Sequence, residues 1–273
     1  MASMANSPVS RSPFAAGVEL FEDVPIRSTE PEELAQLLAA HELYVRSDRR
    51  SGKRANLEAT DLSGRNFSGM KLRRIRMTRA ELVGADFAGA NLRRANMIGA
   101  RMQSGRLAFA DLTRAKLSGI NLADADCEGA CLAEADLEFG ILANAVFRDA
   151  DLSDADMSGV ILDGADLSGT DLRRANLRGA SFRETRLCRA DLRDARMGGG
   201  SFIRTSFRGA DLRGAYLRVA RFELPDLSGA DLRGVQGLTP DQIDNAICDS
   251  DTRLPENWTS TRTRNFASER APR

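Results

Sequence analysis

Apolar residues recur at every fifth position from Leu57 to Leu232. All 36 of these centres are apolar, as 23 Leu, 7 Phe, 5 Met and Cys127. Two residues before the centre, Ala stands in 23 of the 36 cases, and most of the rest are Gly, Thr, Val or Ile. The intervening positions are polar or glycine, as in "ADLSGTDLRRANLRGASF" at residues 165–182. A step of five on an α-helix turns about 500°, so the centres would smear around the axis and give no apolar stripe. On an extended chain, positions two apart share a face, so Ala165 and Leu167 point inward together. The next small residue, Thr170, lies at an odd spacing and faces inward only if the chain turns a corner first. One short extended piece and one corner per five residues predicts a coil, and internal repetition of this kind marks a solenoid.

Longer periods indicate how many corners close one turn. The triplet "LRR" falls at 72–74, 92–94 and 172–174, and Phe182, Phe202 and Phe222 are also spaced by twenty. Sorting the centres by twenty gives one row that is Leu throughout, from Leu72 to Leu232. Stacked layers favour such a row, because each Leu packs on its copies above and below. Four repeats per turn are therefore expected.

Runs such as "ADLSG", "ANLRR", "ASFRE" and "ADLRG" resemble the A(D/N)LXX motif of the bacterial pentapeptide repeat family, and the resemblance spans residues 55–234. It implies an all-β solenoid, a right-handed quadrilateral β-helix of about nine coils. Coils spaced roughly 4.8 Å apart would make a rod about 40 Å long. Arg65, Met70 and Ile75 replace Ala in the first coil, so irregular geometry is expected there, and Pro225 is a second departure.

The flanks read as caps and tails. A solenoid exposes apolar layers at both ends and needs them covered. Residues 28–54 are expected to form an N-terminal capping helix and linker, with Thr29 and Glu32 as a capping box and Pro31 in the first turn. Leu34, Leu37, Leu38, His41, Tyr44 and Val45 form its apolar stripe, with His41 a packed edge residue rather than a ligand. Residues 235–258 are expected to be a C-terminal helical cap, opened by Thr239, Pro240 and Gln242. Its "LTPDQIDNAICDSDTRLPENW" stretch resembles the closing segment of many bacterial members of the family. Trp258 is available to pack there or to meet a partner. Residues 1–27 and 259–273 are expected to be disordered tails. No 18-residue apolar run exists, and the N-terminus lacks a signal pattern, which predicts a cytoplasmic protein without a membrane span.

Composition then narrows the chemistry. Cys127, Cys131, Cys188 and Cys248 have no framework spacing and His41 is the single histidine, so neither a disulfide nor a metal site is expected. Each repeat supplies its carboxylate at the same surface position, and a uniform solvated row does not separate pKa values as a catalytic pair requires. No catalytic, cofactor-binding or metal residue is expected, and the chain reads as a non-enzyme.

The formal net charge of +0 conceals three bands. Residues 65–116 carry 12 basic and 3 acidic side chains, residues 117–172 carry 13 acidic and only Arg148, and residues 173–221 carry 13 basic and 4 acidic. The acidic waist contains Asp124, Asp126, Glu128, Glu134, Asp136, Glu138, Asp151, Asp154 and Asp156. The favoured reading is a structural rod that binds a protein partner, or a second copy through a terminal cap, using these bands to set register. The resemblance implies an alternative, because some pentapeptide repeat proteins are DNA mimics that occupy the DNA-binding surface of gyrase. Basic flanks and the absence of an interrupting loop oppose it. A further alternative is polyanion binding, including nucleic acid, by an arginine face of Arg73, Arg74, Arg93, Arg94, Arg173, Arg174, Arg193 and Arg213. Pairing with the Asp151, Asp171, Asp191 and Asp211 row is its bland counterpart, and no surface aromatics interleave the arginines for base stacking.

Overall fold

The structure, a computed structural model, describes residues 25–255. Its organising feature is a parallel bridge between residues twenty apart, from Asn56↔Arg76 through Tyr216↔Gln236. Every fifth residue takes part, so four faces stack in register along the chain, named here by their first bridging residues Asn56, Asp61, Asn66 and Lys71.

The five-residue unit pairs most of its backbone N–H groups on these faces. In the unit around Leu62, the Leu62 and Gly64 N–H groups donate to Glu81 and Val83 carbonyls of the next coil, both at 2.8 Å. In the coil above, the residue before the centre donates backward, Glu81 N–H to Thr60 O at 3.0 Å. The small residue closes the corner, Arg65 N–H to Leu62 O at 3.1 Å. Where Asp or Asn stands before the centre it holds the fifth N–H: Ser63 donates to Asp61 Oδ1 at 3.0 Å and Ser68 to Asn66 Oδ1 at 2.8 Å. Buried and half-buried backbone must be satisfied in this way. The corner carries positive φ at its second residue, 64° at Gly64, which is the signature of a type II turn.

Corners this frequent leave little continuous strand. Among the described residues only β1 (Ser201–Ile203) and β2 (Arg221–Glu223) are strands proper, pairing in parallel. They arise where a corner opens. Pro225 has no N–H with which to close the turn after Phe222.

The interior is the stack of centres and small residues, nearly all below 3% exposed. Like rests on like: Phe67 and Phe87 ring centroids are 4.6 Å apart, and Phe182 and Phe202 4.8 Å. Threonine in an alanine slot turns its hydroxyl to the backbone, Thr185 Oγ1 donating to Leu162 O at 2.7 Å. Cys127 fills a centre, and burial pushes its thiol up from the usual range. The four cysteines are free. The first coil keeps the regular corners despite Arg65, Met70 and Ile75, with Ile75 fully buried and Met70 exposed. Its irregularity is thus one of packing at the end of the stack, not of backbone.

At the N-terminal end Arg27 pairs with Thr60, and α1 (Pro31–Arg46) follows. The helix is capped at Glu30 without a side-chain bond, so the expected Thr29–Glu32 capping box does not form. Leu34 and His41 are buried against the first coil, with Leu37 and Leu38 half-buried beside them. At the other end α2 spans only Pro240–Asp244, far shorter than the expected helical cap. Gln242 Oε1 accepts from the Thr239 N–H at 2.8 Å, and its Nε2 donates to Ala220 O at 2.6 Å. Beyond α2 the chain resumes the stack, pairing Asp226↔Ile247 and Asp231↔Arg253. Trp258, residues 259–273 and most of the 1–27 segment lie outside the described residues.

Candidate interaction surface

Because each face is a column of positions twenty apart, surface charge is decided by what stands one coil above and below. On the Lys71 face, Asp171, Asp191, Asp211 and Asp231 alternate with Arg173, Arg193, Arg213 and Arg233. Each arginine grips the aspartate two residues before it, Arg173 to Asp171 at 2.5 Å and Arg193 to Asp191 at 2.6 Å. The same guanidinium then reaches the aspartate of the next coil, Arg173 to Asp191 and Arg193 to Asp211, both at 3.7 Å. Partial burial works to raise the Asp171 and Asp191 carboxyls, but the arginine hydrogen bonds outweigh it and hold both below the usual carboxylate range. On the adjoining corner, Arg114 forks onto Glu134 at 2.8 Å and Arg174 onto Asp154 at 2.5 Å. Those hydrogen bonds lower the Glu134 and Asp154 carboxyls. Of the expected arginine face, Arg173, Arg174, Arg193 and Arg213 are therefore engaged within the rod.

The N-terminal members differ. Arg93 pairs with Asp111 at 3.3 Å, but Arg73, Arg74 and Arg94 have no carboxylate within ion-pair distance among the described residues. Lys71 and Arg76 beside them are equally unpaired.

The structure distributes the waist residues around the rod rather than on one face. Asp136, Glu138 and Asp156 stand on the Asn56 face, Asp126 and Glu128 on the Asn66 face, Asp151 on the Lys71 face, and Asp124, Glu134 and Asp154 at corners. Glu128 is paired, with Arg148 at 3.3 Å, as are Glu134 and Asp154. Asp124, Asp126, Asp136, Glu138, Asp151 and Asp156 have no Lys or Arg within ion-pair distance among the described residues. Their contacts are neutral: Asp136 accepts from Ser118 Oγ at 2.7 Å, and Asp156 from Asn176 Nδ2 at 2.9 Å. Asp126, Asp136, Asp151 and Asp156 also hold the N–H two residues on, so a role at the surface is added to a role in the fold.

Two exposed aromatics escaped the sequence reading. Phe109 and Phe139 occupy corner positions with φ of 58° and 56°. The available signal was a bulky residue at the position two after a centre, where glycine is common because φ is positive.

Stacked four-sided coils with short corners and no intervening loop define a β-solenoid protein. The family described as Pentapeptide repeats matches in 8 copies covering residues 71–107, 80–119, 106–138, 130–169, 170–209 and 201–235. The chain belongs to the pentapeptide repeat family, whose members fold as right-handed quadrilateral β-helices. No curated protein sequence matches it. Among solved structures, it is similar to HetL, a pentapeptide repeat protein involved in heterocyst differentiation regulation from the cyanobacterium Nostoc sp. strain PCC 7120. The two share 26% identity over 84% of this chain and 94% of that one, with a TM-score of 0.37. Full-length QnrB1, a plasmid-mediated fluoroquinolone resistance protein, shares 19% identity over 78% and 97% of the two chains, with a TM-score of 0.39. A pentapeptide repeat protein of the Arabidopsis thaliana thylakoid lumen shares 31% identity over 39% and 71%, with a TM-score of 0.22. Among the described residues no helix is long and apolar enough to cross a membrane.

Proposed function

We propose that the chain is a non-enzymatic, cytoplasmic interaction rod of about nine coils, closed by its two end segments, that binds a protein partner through the acidic waist. The observation that carries this reading is the contrast along one rod. The carboxylates of Asp171, Asp191 and Asp231 are met by arginines, whereas Asp136, Glu138 and Asp156 stand together on one face with no Lys or Arg within ion-pair distance among the described residues, although Lys116 bridges Asp136. Copies of an unneutralised charge about 4.8 Å apart repel one another, and a cationic partner surface relieves that repulsion. The test is retention of protein from nuclease-treated lysate by wild type against D136N/E138Q/D156N. The amides keep the hydrogen bond to the N–H two residues on, so the rod itself is undisturbed. Loss of a retained protein from the variant supports the waist as its site; identical retention refutes it.

The same carboxylates serve the alternative, a DNA mimic acting on gyrase or another topoisomerase. The waist would be about 13 Å of rod, over which duplex DNA carries about eight charges. Inhibition of gyrase supercoiling that disappears in D136N/E138Q/D156N is its expected result. Polyanion binding is favoured only at the N-terminal end, where Arg73, Arg74 and Arg94 have no carboxylate within ion-pair distance among the described residues. There a mobility shift with duplex DNA should weaken steeply with salt and vanish in R73Q/R74Q/R94Q.

A further inference from the structure

The acidic ring of the waist is open on one face, and the gap is apolar. On the Asp61 face the bridging column reads Asp61, Glu81, Arg101, Asn121, Ile141, Ile161, Ser181, Ser201 and Arg221. It is polar everywhere except at two consecutive coils, both within the waist. Ile141 and Ile161 bridge each other directly and are 39% and 41% exposed. Phe139, at the corner leading into Ile141, is 68% exposed. Single exposed hydrophobes are ordinary. Three on adjoining positions of two stacked coils, where the other faces bridge through Asp136, Val146 and Asp151 and through Asp156, Asp166 and Asp171, are a localised patch.

The aromatic is held in place. Its corner column otherwise reads Ala59, Arg79, Gly99, Gly119, Gly159, Gly179, Gly199 and Val219, so glycine predominates where Phe139 has φ of 56°. Left-handed φ for a bulky side chain costs about 1 kcal/mol or more, and the rod gains no interior packing from a ring that faces solvent. An edge of the ring stands against the next coil's Gly159, where an added Cβ would come within 2.6 Å of it. A fixed, exposed aromatic is the form an interface anchor takes, because its ordering entropy is already lost before binding.

The rim is acidic. Glu138 precedes the ring, Asp124 stands at the corner one coil below Asn144, and Asp163 lies two residues after Ile161. None of the three is paired with a Lys or Arg among the described residues. Asp124 accepts from Asn144 Nδ2 at 3.1 Å, and Asp163 from Ser181 Oγ at 2.6 Å. An apolar centre with an uncompensated anionic rim fits a cationic segment bearing aliphatic or aromatic side chains.

We infer that Phe139, Ile141 and Ile161 form the anchor point of a docking surface for a basic protein segment whose apolar side chains seat on this face while its Lys or Arg side chains meet Glu138, Asp124 and Asp163. This rests on the reading of the waist as a partner-binding surface and places its centre on the face that lacks the carboxylate column.

The test is selection of a random 12-residue phage-displayed peptide library on the full chain, followed by fluorescence titration of the enriched peptides. The comparison variant is F139G/I141N/I161S. Each replacement is a residue the chain already uses in the same column, Gly119, Asn121 and Ser181, so the coil is retained, and F139G removes backbone strain. The expected result is enrichment of Lys- and Arg-rich sequences with apolar side chains, binding at least tenfold more weakly to the variant and more weakly at high salt. Enrichment of acidic or uncharged sequences, equal binding to the variant, or no enrichment would overturn the inference. A wild-type dimer in sedimentation that the variant dissolves would also overturn it, assigning the patch to a second copy. Peptides lost by D136N/E138Q/D156N but kept by the apolar variant leave the waist reading standing and sink the patch; the reverse pattern sinks the waist reading and keeps the apolar anchor with a rim of Asp124 and Asp163 alone.

Discussion

Leu152 and Ser153 are neighbours with opposite fates, because alternate residues of an extended segment face opposite sides. Leu152 is 0% exposed, while Ser153 is half-buried and donates its hydroxyl to Asp151 at 2.6 Å. Leu152→Ala should cost about 3 kcal/mol through lost contacts and an interior cavity, and Ser153→Ala less than about 1 kcal/mol. Chemical denaturation of both variants checks this, and equal losses would contradict the assigned facing. The aspartate before a centre has two duties that substitution can separate. Asp171→Asn keeps the acceptor for the Arg173 N–H but loses the charge and the oxygen that accepts from the Arg173 guanidinium, whereas Asp171→Ala removes the backbone acceptor as well. The alanine variant should be the less stable by about 1 kcal/mol. The alternation of Leu152 and Ser153 was legible from the repeat alone. The hydrogen bond from the Arg173 backbone N–H to Asp171 was not, because a repeating aspartate reads as a solvated charge until the corner geometry turns the N–H toward it.

At the scale of an element, α1 is the part of the molecule most sensitive to mild acid. His41 is buried, and its Nδ1 accepts the Ala55 N–H at 3.1 Å, an arrangement that requires neutral imidazole. Burial lowers its pKa from 6.5, and the Arg54 charge acts in the same direction, against the raising influence of the Leu72 and Arg73 backbone. A histidine whose folded pKa is depressed contributes stability that is complete above its unfolded value and is lost as pH falls below it. Hydrogen exchange across residues 31–46 should therefore accelerate below about pH 6.5, before the coils respond, and His41→Gln should flatten that dependence. The coils should yield only at lower pH. Asp171, Asp191 and Asp231 are held below the usual carboxylate range, so their contribution is present above about pH 3.9 and lost as acid titrates the folded state. Gly52 closes the same element: at φ 77° its missing Cβ would lie 2.3 Å from Ala40 O. The helical stripe of α1 was readable at 3.6-residue spacing. Its actual cap at Glu30, and the brevity of α2, depend on where the coil beneath lets the chain land.

At the scale of the whole molecule, each coil touches only its neighbours, so stability accumulates along one dimension. Excision of residues 171–190 removes one full turn and brings Asp191 onto Asp151, where the same three N–H bonds per unit can form. That variant should keep its far-UV spectrum and cooperative melting at a lower midpoint. Excision of residues 171–173 breaks the five-residue beat and should abolish the cooperative transition, a contrast that circular dichroism reads directly.

The sequence by itself determined the beat, the inward residues and the twenty-residue turn, because side-chain direction along an extended chain follows from spacing alone. It also determined that charge falls into bands. Only the tertiary structure decided which charges meet. Arg173 and Asp191 are 18 residues apart yet 3.7 Å from each other, while Asp136 bridges Lys116 and still has, like Asp156, no Lys or Arg within ion-pair distance among the described residues. Counting along the chain averages all four faces, so it merged Arg173, held within the rod, with Arg73, which is not. For the same reason it missed Phe139, Ile141 and Ile161, which are separate in sequence and become one surface when adjoining coils stack.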